Sequence, residues 1–391
     1  MMDKPFSKIL FSAACSGMFL FGVTLITLGS VAPALQEKFQ LDGLASGTLF
    51  SLLPFGIVIG SLVFGPVADR YGYKAILILS SMLIFSGLLG IAYASSFSVL
   101  KISVFIFGFG GGAINGSTNA LVSDISGENR SANLSLLGVF FALGALGMPL
   151  LLGALQKIAG TELILTATAV FTLVCAGLFA FVQFPLPKQR DGVSLNTMLS
   201  LTTQRAMWLI ALFLSCQSGL EGIMNNWTTL YLTEDPAIQM RSALFALSLY
   251  VGGMAVMRLV LGWLLRQLAT YIIMLLSMGL LFVGNVILAT ASTYEVATAG
   301  LILIGVGLAA GFPVMLGLAG TKYAAISGTA FSLIISIALL GNMLINYATG
   351  VIVDAYGIKR MMVMPFLLNV TMVIFSILIF KNFRDHKQTT N

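Results

Sequence analysis

The amino-acid sequence predicts an all-α polytopic membrane protein, with twelve transmembrane helices in two pseudo-symmetric six-helix bundles. Three observations carry this. First, 58% of the 391 residues are hydrophobic and only 9% are charged, where a soluble domain carries about 25% charged residues; the mean hydropathy is +1.00. Second, apolar runs of about 20 residues, long enough for a helix to cross the hydrocarbon layer, recur along the whole chain. Third, small residues repeat at a fixed offset of 197, so that Gly108 and Gly110 answer to Gly305 and Gly307, Gly144 and Gly153 to Gly341 and Gly350, and Gly65 to Gly262.

Taken in order, the apolar runs predict spans at 9–35, 44–68, 75–95, 99–123, 132–156, 163–184, 206–232, 243–265, 270–291, 295–321, 327–353 and 361–380. The first run is too long for the apolar core of a cleaved signal, and no small-residue cleavage site follows it; it is expected to be a retained span. Most connections are short. The exception is PLPKQRDGVSLNTMLSLTTQR, 185–205, which separates a first bundle over 1–184 from a second over 206–391. Inside helix ten, Gly311 and Pro313 predict a kink or break at mid-membrane depth.

Lysine and arginine set the orientation. With the N-terminus inside, the inner side carries Lys4, Lys8, Arg70, Lys74, Arg130, Lys188, Arg190, Arg205, Arg266, Lys322, Lys381, Arg384 and Lys387. The outer side carries only Lys38, Lys101, Lys157, Arg241, Lys359 and Arg360. Both termini are therefore expected in the cytoplasm. Arg258 is left over, inside helix eight. Short outer loops without an N-x-S/T site suit a bacterial inner membrane.

Several functions are excluded. There is no phosphate loop, and GFGGGA in helix four follows no strand. The lone His386 lies in the tail, and Cys15, Cys175 and Cys216 sit in apolar segments at unrelated spacings that suit neither a disulfide framework nor zinc. No enzyme chemistry, cofactor or nucleic-acid partner is expected; the partners are the lipid bilayer and a small molecule, and the chain is expected to be a monomer.

Polar residues within the spans are the candidates for function. At the inner end of helix two, GPVADRYGYK, 65–74, places Gly65 for close helix approach, Gly72 for a tight turn, and Asp69 where it can pair with a cation or cap a neighbouring helix. Asp69, Arg70 and Lys74 form a candidate cytoplasmic gate, whose contacts would break when the protein opens inward. The equivalent of Asp69 in the second copy is Arg266. In helix four, Asn115 and Asn119 share a face with Gly108 and Gly112; the amides either meet a solute or bond to neighbouring helices. In helix seven, Gln217, Glu221 and Asn225 form a stripe. Glu221 lies about 24 Å from the inner end, near the midplane, where an ionised group costs several kcal/mol unless it faces water or a partner. A carboxylate that exchanges a proton, ligates Na⁺ or binds a hydroxyl would justify that cost; a buried structural pair is the alternative. Arg258, about 12 Å from the inner face, is the candidate partner, with Asn342 in helix eleven about level with Glu221. Trp227 either stacks on a solute or anchors its helix, and Phe312 is a second stacking candidate.

The chain resembles the major facilitator superfamily, and within it the fucose permease-like sugar symporters. The resemblance rests on GPVADRYGYK, on GGGAINGSTNALVSD in helix four, on SGLEGIMNNWTTLYL in helix seven, on MRLVLGWLLRQL in helix eight, on GFPVMLGL in helix ten and on GNMLINYATGVIVDAYGIKR across helix eleven. It implies alternating access between two six-helix halves and uptake of a monosaccharide coupled to a proton or sodium gradient. Two positions depart from the pattern: helix one has no acidic residue, and the acidic position of helix four is Asn115, which leaves Glu221 as the only carboxylate deep in the membrane. An exporter of amphipathic compounds and a passive uniporter on the same fold are the alternatives; a sensor would need an output domain.

Overall fold

The computed structural model describes residues 4–40, 43–187 and 200–389. Most of the expected linker, 188–199, lies outside the described residues. Among the described residues twelve helical spans are long and apolar enough to cross a membrane. They begin with Lys8–Val31, Ser51–Tyr71, Tyr73–Ala92 and Phe97–Ile125, and the seventh is Arg205–Thr233. The observed ends match the hydropathy runs to within a few residues at most boundaries.

The helices depart from simple rods at two places. The fifth and sixth are two helices within Arg130–Phe181, joined across a kink at Gly160, whose φ of 68° and ψ of 157° are not helical. A residue with a side chain adopts that φ rarely, so glycine serves as the joint. The tenth span is two helices, Tyr294–Leu308 and Gly311–Lys322. Pro313 has no N–H to donate and its ring crowds the preceding turn, so the expected break appears, at Ala309 and Ala310.

The chain forms two compact units. One comprises Met1–Glu128, Leu137–Met198 and Gly320–Ser336; the other comprises Asn129–Leu136, Leu199–Ala319 and Ile337–Asn391. In the first, the fourth span is the hub and packs against the first, second and third. Its contact with the second span is backbone on backbone: a Cβ on Gly112 would collide with the Ile57 carbonyl, and one on Gly60 with the Phe109 carbonyl. In the second unit, the tenth span is the corresponding hub and packs against the eighth and ninth.

The contacts obey the sequence repeat. Gly108 abuts the Leu53 carbonyl, and Gly305, 197 residues later, abuts the carbonyl of Tyr250, 197 after Leu53. Gly110 abuts Ile84, and Gly307 abuts Leu281; Gly87 abuts Phe107, and Gly284 abuts Ile304. Each pair holds the same offset, so one helix-crossing geometry is built twice from glycines at matching positions.

The Gly112 crossing gives the first prediction. Gly112→Val should lower thermal stability and folded yield, because overpacking costs about 1–3 kcal/mol even against movable side chains and here the obstacle is backbone. Gly279→Ala, where a Cβ meets nothing within 4 Å, should leave the melting temperature unchanged or raise it. Thermal unfolding in detergent checks both.

Candidate functional site

The second unit holds a polar cluster in which Gln217, Tyr250 and Arg258 are buried and Glu221 is partly exposed. Gln217 and Glu221 are four residues apart on the seventh span, and the helix stacks them as neighbours. Gln217 Nε2 donates to Glu221 Oε1 at 3.1 Å and to the carbonyl of Leu308 at 2.9 Å. The second bond reaches the break in the tenth span, where the interrupted helix leaves a carbonyl to be satisfied. Gly311 makes room: a Cβ there would occupy the position of Gln217 Oε1. From the eighth span Arg258, only 8% exposed, acts electrostatically on Glu221, and both act on the hydroxyl of Tyr250. Tyr250 is wholly buried, and its hydroxyl has no hydrogen-bond partner among the described residues. An unmade bond of this kind costs about 1–3 kcal/mol. A carboxylate, a guanidinium, an amide and an orphan hydroxyl are thus gathered in one apolar unit.

The other candidates of this unit separate into roles. Asn342 Nδ2 donates to Ser218 Oγ at 3.2 Å, and Asn346 Nδ2 donates to Asn342 Oδ1 at 2.7 Å. Asn226 Nδ2 reaches Asn346 Oδ1 at 3.2 Å. This ladder ties the seventh span to the eleventh, and Asn342 is one of its rungs. Trp227 is half-buried with its ring against Gly350, also on the eleventh span. Asn225 is exposed, and Phe312 is partly exposed beside the break.

In the first unit, Asn115 and Asn119 are 4% and 2% exposed. They bond to each other: Asn119 Nδ2 donates to Asn115 Oδ1 at 3.0 Å and to the Asn115 carbonyl at 2.9 Å. Asp69 is buried at the start of the helix Ser327–Tyr356. Its Oδ2 accepts from the Thr329 N–H at 2.8 Å and from the Thr329 hydroxyl at 2.7 Å. Asp124 stands beside it, accepting from the Tyr73 hydroxyl and, at 2.7 Å, from Ser327 Oγ. Two carboxylates therefore face one helix N-terminus, whose partial positive charge and free N–H groups favour them. Of the three candidate gate residues only Asp69 is engaged in this way. Arg70 is exposed and lies over the Tyr71 ring at 5.2 Å, and Lys74 is exposed.

The repeat shows what each copy needs for packing alone. At the positions 197 residues before Glu221, Tyr250 and Arg258 the first copy has Thr24, Leu53 and Ser61. Thr24 bonds back to the Leu20 carbonyl at 2.9 Å, and Ser61 to the Gly112 carbonyl at 3.4 Å. At these three positions the first copy carries no charge, and both hydroxyls are bonded. Tyr250, Asp124, Tyr73 and Asn346 escaped the sequence reading. Tyr250 lay in an apolar run where a tyrosine reads as packing; Asp124, an acid at the end of a conspicuous motif, offered a usable signal.

Comparisons with known proteins agree with the architecture. The sequence profile of the Major Facilitator Superfamily matches residues 14–325. The chain is 35% identical over 133 residues to the 4-hydroxybenzoate transporter PcaK of Pseudomonas putida, a match that covers 33% of this chain and 29% of that protein. It is 27% identical over 136 residues to a D-xylose transporter of Levilactobacillus brevis, covering 35% of this chain and 30% of that one. These matches span less than a third of either relative's length. Among solved structures it is similar to the fucose:proton symporter FucP of E. coli, with a TM-score of 0.80 and 21% identity, covering 94% of this chain and 98% of that chain.

The cap at Thr329 is testable. Asp69→Asn keeps an acceptor but removes the charge, and loss of an N-cap interaction costs about 0.5–2 kcal/mol. Amide hydrogen exchange of 327–330 should speed up by roughly fivefold, with exchange in the ninth span unchanged. Equal rates at 327–330 in both proteins would remove Asp69 from the role of cap.

Proposed function

The chain belongs to the major facilitator superfamily, and from that premise we propose that it is a secondary transporter that moves a small polar solute by alternating access, with Glu221 as its coupling carboxylate. The family places the chain among transporters and not among enzymes. One observation carries the role of Glu221: the second copy holds Glu221, Tyr250 and Arg258 where the first holds Thr24, Leu53 and Ser61. The fold packs without these charges, and a buried charge costs several kcal/mol. Groups retained at such a cost, with a hydroxyl left unsatisfied among them, fit a site that exchanges an ion and meets a solute.

A monosaccharide is the solute this reading favours. The exposed Asn225 and the partly exposed Trp227 and Phe312 offer the amide and aromatic faces that sugars use, and the fold is similar to that of a fucose:proton symporter. The coupling ion is a proton or Na⁺. The second reading is an aromatic acid, favoured by the buried guanidinium of Arg258 and by the similarity to 4-hydroxybenzoate transporters. In either case the protein sits in the inner (plasma) membrane as a monomer with both termini cytoplasmic, and Asp69 releases Thr329 each time the cytoplasmic side opens.

Proteoliposome uptake tests this directly. Labelled monosaccharides and 4-hydroxybenzoate are offered with and without imposed proton or sodium gradients, to wild type and to Glu221→Gln. Wild type should accumulate one solute class under a gradient. Glu221→Gln should lose accumulation by at least about tenfold, a loss of roughly 1.4 kcal/mol or more of coupling, while downhill exchange survives. Full accumulation by the variant would remove Glu221 from coupling. Failure of correctly inserted wild type to move either solute class would overturn both readings.

A further inference from the structure

Gln217 is placed to do more than touch a solute. Both of its amide acceptors are inside the chain: the carboxylate of Glu221 at 3.1 Å and the carbonyl of Leu308 at 2.9 Å. Leu308 ends the first half of the tenth span, and the helix restarts at Gly311. In an unbroken helix that carbonyl would accept from the N–H four residues on; here the amide of another span stands in. The side chain is 1% exposed, and its oxygen rests over Gly311, in the place a Cβ would take. One rigid amide thus bridges the carboxylate and the joint of the tenth span.

We propose that Gln217 is a positioning residue that couples the charge state of Glu221 to the geometry of the break in the tenth span. This rests on the reading of Glu221 as the coupling carboxylate. A hydrogen bond to a charged acceptor is markedly stronger than one to a neutral acceptor. When a proton or a bound cation neutralises Glu221, its hold on Nε2 weakens and the amide is free to turn. Leu308 then loses its fixed donor, and the two halves of the tenth span can change their angle. Arg258, from the eighth span, is the charged group that acts on Glu221, and the Tyr250 hydroxyl of the same span lies in the field of both. Arg258 biases its charge, and Gln217 passes that charge on to Leu308. The device explains why the break has glycine at 311: any larger residue would displace the amide.

A double-mutant cycle read by amide hydrogen exchange of 308–313, with the protein in lipid nanodiscs, tests this without any solute. Glu221→Gln imitates the neutral carboxyl and should raise exchange of this segment about fivefold. Gln217→Leu should raise it by a similar factor, and Glu221→Gln should then add nothing. Gly311→Ala, which displaces the same amide while leaving Gln217 in place, should behave as Gln217→Leu and serves if that variant folds poorly. An equal effect of Glu221→Gln with and without Gln217, or none at all on 308–313, would overturn the proposal. Additive exchange with intact gradient-driven uptake would sink this coupling alone. Absence of any uptake, with the cycle non-additive, would sink the transport reading and leave the coupling standing.

Discussion

A polar group within the hydrocarbon layer has no water to bond with and must find its partner inside the chain. Most of this structure is an answer to that constraint. Thr24, Thr27 and Ser117 turn their hydroxyls back to carbonyls four residues earlier on their own helices. Asn342, Asn346 and Asn226 bond one another across two spans. The helices approach through glycine, so close that backbone meets backbone at Gly112 and Gly305. The Glu221 cluster adds to such a local bond one that crosses to another span. The carboxylate accepts from an amide, the amide also donates to a carbonyl of another span, and the Tyr250 hydroxyl finds no partner among the described residues.

The two copies of the repeat have divided the polar work. The first copy keeps Asp69 at the C-terminal end of its second span, where it caps the helix beginning at Ser327; the second has Arg266 at that position, exposed. The second copy keeps Glu221, Tyr250 and Arg258, where the first has neutral residues that satisfy themselves. A smaller echo survives in both: Ser332 Oγ donates to the Leu62 carbonyl at 2.9 Å, and Ser135 Oγ, 197 residues earlier, donates to the Arg258 carbonyl at 2.6 Å. The common frame is held by small residues and serines, and the charges are additions to it.

Periodicity and hydropathy carried the spans, because length in an apolar run is a direct measure of the hydrocarbon thickness. The break in the tenth span was legible from Gly311 and Pro313, and the unusual cost of Glu221 from its depth alone. What a helix face cannot show is which partner meets it. The i, i+4 stripe of Gln217 and Glu221 predicted that they share a face; that the amide would also serve Leu308, 91 residues away, could not be read from spacing. Asn342 was a polar residue at the right depth, and its bonds to Ser218 and Asn346 emerged only from packing. Tyr250 is the plainest case, since in sequence it differs from its counterpart Leu53 only as one apolar residue differs from another.

The central claim is that Glu221 changes its state when the solute binds. Infrared difference spectroscopy of the purified protein in lipid, recorded with and without the transported solute, reads a carboxyl group directly. The account predicts a carboxyl or carboxylate band that changes on solute addition in wild type and is missing from the difference spectrum of Glu221→Gln. Difference spectra with the same carboxyl bands in both proteins would contradict it.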